Sequence, residues 1–187
     1  MRVLVVEDDR LQAESIEIAL KRNFQSVGVE IISTESEFCS RLETLREDPP
    51  DVVLIDVMLR WADPAPDMPP PPTEIAQEGF FRGGMRCLRR LLETPETREI
   101  PVVVHSVLQR DDIESEIAAM PRHVLFLQKD SDELRLVREI RSLLQGLPEG
   151  VVKGRGWRQR LWESVEAKPG WFGFSVDLKQ LLCRRAD

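Results

Sequence analysis

Cysteine is scarce in this chain of 187 residues, which contains three. Cys39, Cys87 and Cys183 are odd in number and far apart, so they form neither a disulfide framework nor a zinc motif. We interpret them as reduced structural thiols, which indicates a cytoplasmic protein.

Long hydrophobic runs are also absent. No stretch approaches the roughly 20 apolar residues of a transmembrane helix, and no signal-peptide pattern precedes the first strand-like run. The net charge of -7 disfavours bulk attraction to nucleic acid, and no helix-turn-helix pattern is present. We therefore expect a soluble protein without a membrane span and without a nucleic-acid partner.

Apolar runs and helical patterns alternate along residues 1–146. The strand-like runs are Val3–Val6, Val27–Ile32, Val52–Ile55, Val102–Val104 and Val124–Gln128. The helical patterns are Leu11–Phe24, Glu35–Arg46, Gly79–Leu92, Asp111–Met120 and Asp130–Leu144. This alternation predicts an α/β fold in which helices cover both faces of a doubly wound, five-stranded parallel sheet.

Two segments fall outside this pattern. Residues 60–78 are rich in proline and too long for an ordinary βα loop of about 2–6 residues, so we predict an insertion with an extended path. Residues 147–187 contain three of the four tryptophans and have eight basic and five acidic residues. We predict a C-terminal interaction extension, because Trp and Arg are favoured at interfaces. The alternative is that it caps the α/β domain.

Charged and hydroxyl side chains stand at the ends of the strand-like runs. Because the carboxyl ends of parallel strands line one crevice, we expect Glu7, Asp8, Asp56, Ser106 and Lys129 to meet there. Carboxylate oxygens are ligands that magnesium prefers, and a carboxylate can act as a nucleophile that forms an acyl phosphate. A lysine and a hydroxyl would stabilise the oxygen atoms of the transferred group.

Four motifs, in order and spacing, resemble the receiver domain of bacterial two-component response regulators. They are Val5–Asp9, Leu54–Asp56, Pro101–Ser106 and Phe126–Lys129. The resemblance covers residues 1–146 and implies a flavodoxin-like fold. It further implies a phosphorylation-dependent signalling switch.

The resemblance also implies a role for each matched residue. Asp56 is similar to the phosphoacceptor of the family. Asp8, Asp56 and the backbone carbonyl of Met58 correspond to the metal ligands, and Glu7 corresponds to a water-mediated partner of the ion. The implied cofactor is Mg²⁺ or Mn²⁺.

The remaining implied roles concern the phosphoryl group and its consequences. Lys129 and Ser106 correspond to phosphate-contacting residues, and Ser106 and Phe126 to switch residues. The implied donor is a histidine kinase or phosphotransfer protein, and the implied catalysis is limited to self-phosphorylation and autodephosphorylation. Phosphorylation would reshape the surface of residues 111–144, which, with the extension, would bind a downstream partner or a second copy.

Two rival functions follow from the sequence. A phosphorylation-independent pseudo-receiver that serves as an interaction module is favoured by Val107, Asp130 and the proline-rich insertion, where the family pattern is not kept. A phosphohydrolase would need a second carboxylate two residues after Asp56, and that position is Met58, which argues against it.

Overall fold

Five parallel strands form a single sheet in this computed structural model, which describes residues 1–66, 70–129 and 132–146. The strands are β1 (Arg2–Val6), β2 (Gly28–Ile32), β3 (Val52–Ile55), β4 (Val102–Ser106) and β5 (Val124–Gln128). Their spatial order is β2-β1-β3-β4-β5. The predicted doubly wound parallel sheet is therefore confirmed.

Burial along the strands follows their place in the sheet. All four residues of the central strand β3 are buried, as are Val3–Val6 of β1. Such continuous apolar runs are typical of strands that are covered on both faces. The edge strand β2 is half-buried or exposed until Ile32, which agrees with its having one neighbour.

In the part of the chain that the structure describes, six α-helices and one 3₁₀ helix surround the sheet. They are α1 (Arg10–Asn23), α2 (Glu35–Glu47), α3 (Thr73–Glu78), α4 (Gly83–Glu93), the 3₁₀ helix Arg110–Ile113, α5 (Glu114–Ala118) and α6 (Glu133–Gly146). One face of the sheet packs with apolar residues of α1 and α6. The other face packs with apolar residues of α2 and α4 and with Ile113. Two hydrophobic layers therefore enclose the sheet.

The structure corrects the predicted extended path of residues 60–78 at the end of this insertion. Helix α3 forms at the end of this insertion, where the carbonyl of Pro72 accepts hydrogen bonds from the N–H groups of Ile75 and Ala76. Ile75 is buried, so one apolar anchor holds the short helix against the protein. The proline-rich composition obscured this local helical signal.

The clearest differences in helix bounds concern two of the predicted helices. The helix expected over Gly79–Leu92 begins at Gly83, because Gly79 ends α3 with a φ of 101°, a conformation that glycine adopts without strain. The helix expected over Asp111–Met120 consists of the 3₁₀ turn and α5. A capping box between Gln109 and Asp112 starts the 3₁₀ turn.

The thiols of Cys39 and Cys87 are free, in agreement with the prediction of reduced thiols. Burial raises the pKa of the Cys87 thiol, so this sulfur is not poised to react as a thiolate. Cys183, Asp130 and the predicted extension 147–187 lie outside the described residues.

A membrane-crossing helix would need to be longer and more apolar than any helix in the described ranges.

Candidate functional site

Three carboxylates converge at the carboxyl edge of the sheet. Glu7 and Asp8 follow β1, and Asp56 follows the neighbouring strand β3, whose Ile55 is in register with Val6. One oxygen from each of the three side chains lies within 4.8 Å of the others. The N–H of Asp56 donates to the carbonyl of Val6 at 2.9 Å, so sheet hydrogen bonding places this residue directly.

Lys129 joins two of these carboxylates. Its Nζ lies 2.7 Å from Glu7 Oε2 and 2.9 Å from Asp56 Oδ2. The backbone N–H of Lys129 donates to the carbonyl of Ser106 at 2.7 Å. This hydrogen bond extends the β4–β5 pairing to the site. The Lys129 side chain is 8% exposed, so the ammonium is held by buried charges rather than by water.

Burial raises the pKa of the Glu7 carboxyl, and the hydrogen bond from Lys129 opposes this effect. The nearby Asp56 carboxylate also raises the pKa of Glu7, because like charges disfavour ionisation. The positive charge of Lys129 therefore offsets the repulsion between the Glu7 and Asp56 carboxylates.

The third carboxylate, Asp8, pairs with an arginine from the insertion. Arg60 Nε lies 3.0 Å from Asp8 Oδ2, and Arg60 Nη2 lies 2.7 Å from the backbone carbonyl of Asp8. The sequence marks Arg60 as a departure from the family pattern, which commonly has proline at this position, but it does not predict this contact. The available signal was an arginine four residues after Asp56, within reach of an acidic strand end.

Asp9, the last acidic residue after β1, has a structural role. Its Oδ1 accepts hydrogen bonds from the N–H groups of Leu11 and Gln12 at 2.9 and 3.2 Å, which caps the start of α1. The hydrogen bonds from Gln12 and Leu11 lower the pKa of the Asp9 carboxyl. This cap fixes the chain immediately after Asp8.

The loop after Asp56 is held by the side chain of Asp56 itself. The N–H of Met58 donates to Asp56 Oδ1 at 3.2 Å, so Met58 lies beside the Asp56 carboxylate. The metal-binding role of the Met58 carbonyl remains a prediction. Val57 and Leu59 are fully buried. The alternation of buried and exposed residues anchors the loop to the core.

Helix α4 packs its first turn directly onto this loop. The N–H groups of Gly83 and Gly84 donate to the carbonyls of Leu59 and Val57 at 3.2 and 3.3 Å. A Cβ added at Gly84 would lie 1.8 Å from the carbonyl oxygen of Asp56, so any side chain at this position would force the backbone to shift. The sequence signal was the Gly-Gly step at a helix start, and its contact with the site was missed.

A buried ion pair supports the same region. Arg86, 1% exposed, donates to the Glu35 carboxylate at distances between 2.7 and 3.0 Å. It also donates to the carbonyl of Gly79 at 2.9 Å, and the N–H of Glu35 donates to the carbonyl of Arg60 at 3.0 Å. These hydrogen bonds link the starts of α2 and α4 with both ends of the insertion. Helical periodicity in the sequence does not predict this network.

The predicted switch residues lie on neighbouring strands. Ser106 is fully buried at the end of β4, where its Oγ accepts from the N–H of Leu108 at 3.4 Å. Phe126 of β5 is half-buried, in register with Val104, and packs against the hydrophobic layer that contains α4. Val107, which departs from the family pattern, is 53% exposed.

A groove of about 460 Å³ lies between α4 and α5. Its walls are mainly apolar, with Leu88 and Leu92 from α4 and Met120 after α5. An ion pair between Arg82 and Glu116 joins its two sides. None of its lining residues belongs to the carboxylate cluster, and Glu116 and Met120 lie on the predicted 111–144 surface.

Comparison with known proteins finds solved structures that resemble this chain. No protein-family model and no curated protein matches the chain. The receiver domain of a histidine kinase from Syntrophus aciditrophicus aligns with a TM-score of 0.55 and 23% identity, over 79% of this chain and 92% of that chain. The receiver domain of a DNA-binding response regulator from Colwellia psychrerythraea 34H aligns with a TM-score of 0.55 and 21% identity, over 78% and 98%.

A third neighbour is the response regulator Rcp1 in its Mn²⁺-bound form. It aligns with a TM-score of 0.56 and 20% identity, over 79% of this chain and 96% of that chain. At these identities the likeness concerns the fold alone. The chain therefore has the flavodoxin-like fold of response-regulator receiver domains.

Proposed function

We propose that this protein is a phosphorylation-dependent signalling switch of the two-component type, in which Asp56 accepts a phosphoryl group from a histidine kinase or phosphotransfer protein. One observation carries the proposal. Asp56 is 7% exposed and is one of the three converging carboxylates. Its Oδ2 accepts a hydrogen bond from the Lys129 ammonium at 2.9 Å. This arrangement at the carboxyl edge of a receiver-type sheet suits a nucleophilic carboxylate.

The proposed transfer uses few protein groups. A carboxylate oxygen of Asp56 forms a bond to phosphorus while the bond from phosphorus to the donor breaks, and the donor retains the electron pair. Phosphoryl transfer depends mainly on positioning and on neutralisation of the phosphoryl oxygens. Lys129 supplies a positive charge, and the hydroxyl of Ser106 supplies a hydrogen-bond donor.

The carboxylate cluster fits Mg²⁺ or Mn²⁺. Three carboxylate oxygens within 4.8 Å of one another form the hard donor set that these ions prefer. Asp8, Asp56 and the Met58 carbonyl would bind directly, and Glu7 through water. When bound, the ion would neutralise charge on the phosphoryl oxygens.

The proposed output follows from Ser106 and Phe126. Movement of Ser106 toward the phosphoryl group would let Phe126 shift inward and would reshape the 111–144 surface. The groove between α4 and α5 borders this surface, which supports it as the place for a downstream partner or a second copy. We propose a cytoplasmic location and catalysis limited to formation and hydrolysis of the aspartyl phosphate.

The test is incubation with a small acyl phosphate and Mg²⁺, followed by intact mass measurement. We expect the wild type to gain one phosphoryl group and Asp56→Asn to gain none, because the amide is not a nucleophile. Asp111→Asn is the control, since Asp111 is an exposed aspartate outside the carboxylate cluster, and it should be phosphorylated like the wild type.

The same measurement tests the pseudo-receiver alternative. A wild type that gains no phosphoryl group, while its fold is intact, would favour a phosphorylation-independent interaction module. Modification that persists in Asp56→Asn would show that the acceptor is another residue.

A further inference from the structure

Arg60 contacts Asp8 at two points. Its guanidinium reaches both the carboxylate and the backbone carbonyl of Asp8, at 3.0 and 2.7 Å. The side chains are 38% and 21% exposed, so the contact is partly shielded from water. Charge-assisted contacts of this kind are the stronger hydrogen bonds in proteins.

The backbone of Arg60 is fixed by the first turn of α2. The N–H groups of Glu35 and Ser36 donate to the carbonyls of Arg60 and Trp61 at 3.0 and 2.8 Å. Glu35 is itself held by the buried Arg86. Arg60 therefore does not reach Asp8 from a free loop, because its main chain is anchored to a helix that belongs to the core.

With Arg60 in place, every carboxylate of the cluster faces a cation of the protein. Lys129 contacts Glu7 and Asp56, and Arg60 contacts Asp8. A divalent ion that binds Asp8 would meet a second positive charge on the same carboxylate, and the two would repel each other. The guanidinium also has another partner nearby, since Arg60 Nη1 lies 3.3 Å from Asp63 Oδ1.

We propose that Arg60 is an internal counter-cation that competes with the divalent ion for Asp8 and thereby sets the metal affinity of the site. Binding of the ion displaces the guanidinium from Asp8 toward Asp63 and so connects metal occupancy with the proline-rich insertion. This inference rests on the proposed function, because it takes Asp8 to be a metal ligand.

The test is a titration of the full chain with Mn²⁺, in which electron paramagnetic resonance measures the free ion. We expect Arg60→Gln to bind Mn²⁺ about three- to tenfold more tightly than the wild type, the range for losing a competing, partly exposed ion pair. Arg10→Gln is the matched control. Arg10 lies two residues from Asp8 but pairs with Glu14, so its loss should change the affinity by less than about twofold.

Thermal unfolding gives a second readout of the same competition. Arg60→Gln should melt below the wild type without metal, because Asp8 loses its counter-cation. Saturating Mn²⁺ should then raise its Tm by more than it raises that of the wild type, since tighter binding stabilises the folded state more. Should Arg60→Gln not fold, Arg60→Lys, which loses the two-point contact, should still bind Mn²⁺ more tightly than the wild type.

Each result of the Mn²⁺ titration either supports or overturns the proposed role of Arg60. Tighter binding by Arg60→Gln supports the proposal, whether the wild type binds weakly or not at all. Equal affinities of Arg60→Gln and the wild type would overturn the role of Arg60 and leave the proposed function intact. If neither protein binds Mn²⁺, the metal site and this inference both fail, whereas phosphorylation of Asp56 is decided independently by the mass measurement.

Discussion

The charge balance of the carboxylate cluster depends on Lys129. It is the shared partner of two buried carboxylates, Glu7 and Asp56, and approaches both within 2.9 Å. Removing one partner of a buried ion pair leaves an uncompensated charge, which costs more than the pair itself contributes. We therefore expect this lysine to stabilise the folded protein and, under the proposed function, to neutralise charge on the phosphoryl oxygens.

We predict that Lys129→Met destabilises the protein by about 3 kcal/mol without metal, because Glu7 and Asp56 then repel each other without a counter-charge. Unfolding in urea measures this free energy. Lys21→Met is the matched control, since Lys21 is an exposed lysine that pairs with Glu17 on α1, and its loss should cost under about 0.5 kcal/mol. Equal stability of the two variants would refute the role of Lys129.

At the scale of elements, the start of α4 and the end of β3 form one unit. Two N–H groups of the helix bind carbonyls of the loop after Asp56, and glycine is the residue that permits this approach. The buried pair of Glu35 and Arg86 adds α2 to the same unit. The loop after Asp56 is therefore fixed by helices on one side of the sheet.

We predict that Gly84→Ala destabilises the protein by about 1–3 kcal/mol, because the added methyl group overpacks against the Asp56 carbonyl. It should also slow phosphorylation, because relief of the clash displaces the Asp56 backbone. Gly28→Ala is the control, since nothing lies within 4 Å of a Cβ at that position. Denaturant unfolding and intact mass measure both effects, and a Gly84→Ala variant that matches Gly28→Ala in both would contradict the packing argument.

At the scale of the whole molecule, the sequence predicted the sheet well because its signals are local. Runs such as Val52–Ile55 and Val102–Val104 identify buried strands by composition, and the topology rules for parallel sheets then place their ends together. The convergence of Glu7, Asp8, Asp56 and Lys129 follows from that topology. The five strands and the carboxylate cluster lie at the positions that these topology rules predict.

The parts that the sequence did not predict depend on contacts between distant residues. The pair of Arg60 and Asp8 spans 52 positions, and the pair of Arg86 and Glu35 spans 51. Periodicity describes which face of a helix is buried but not which charged side chains meet across elements. Helix α3 was missed for another reason, since the prolines that precede it favoured an extended path.

The central claim is that Asp8, Asp56 and Lys129 act together at one magnesium-dependent phosphoryl site. The most direct measurement is the initial rate of phosphoryl gain by intact mass, with an acyl phosphate and Mg²⁺, for the wild type, Asp8→Asn and the exposed control Asp111→Asn. We predict that Asp8→Asn folds but gains no phosphoryl group, whereas Asp111→Asn reacts at the wild-type rate. A folded Asp8→Asn protein that is phosphorylated as fast as the wild type would contradict this prediction.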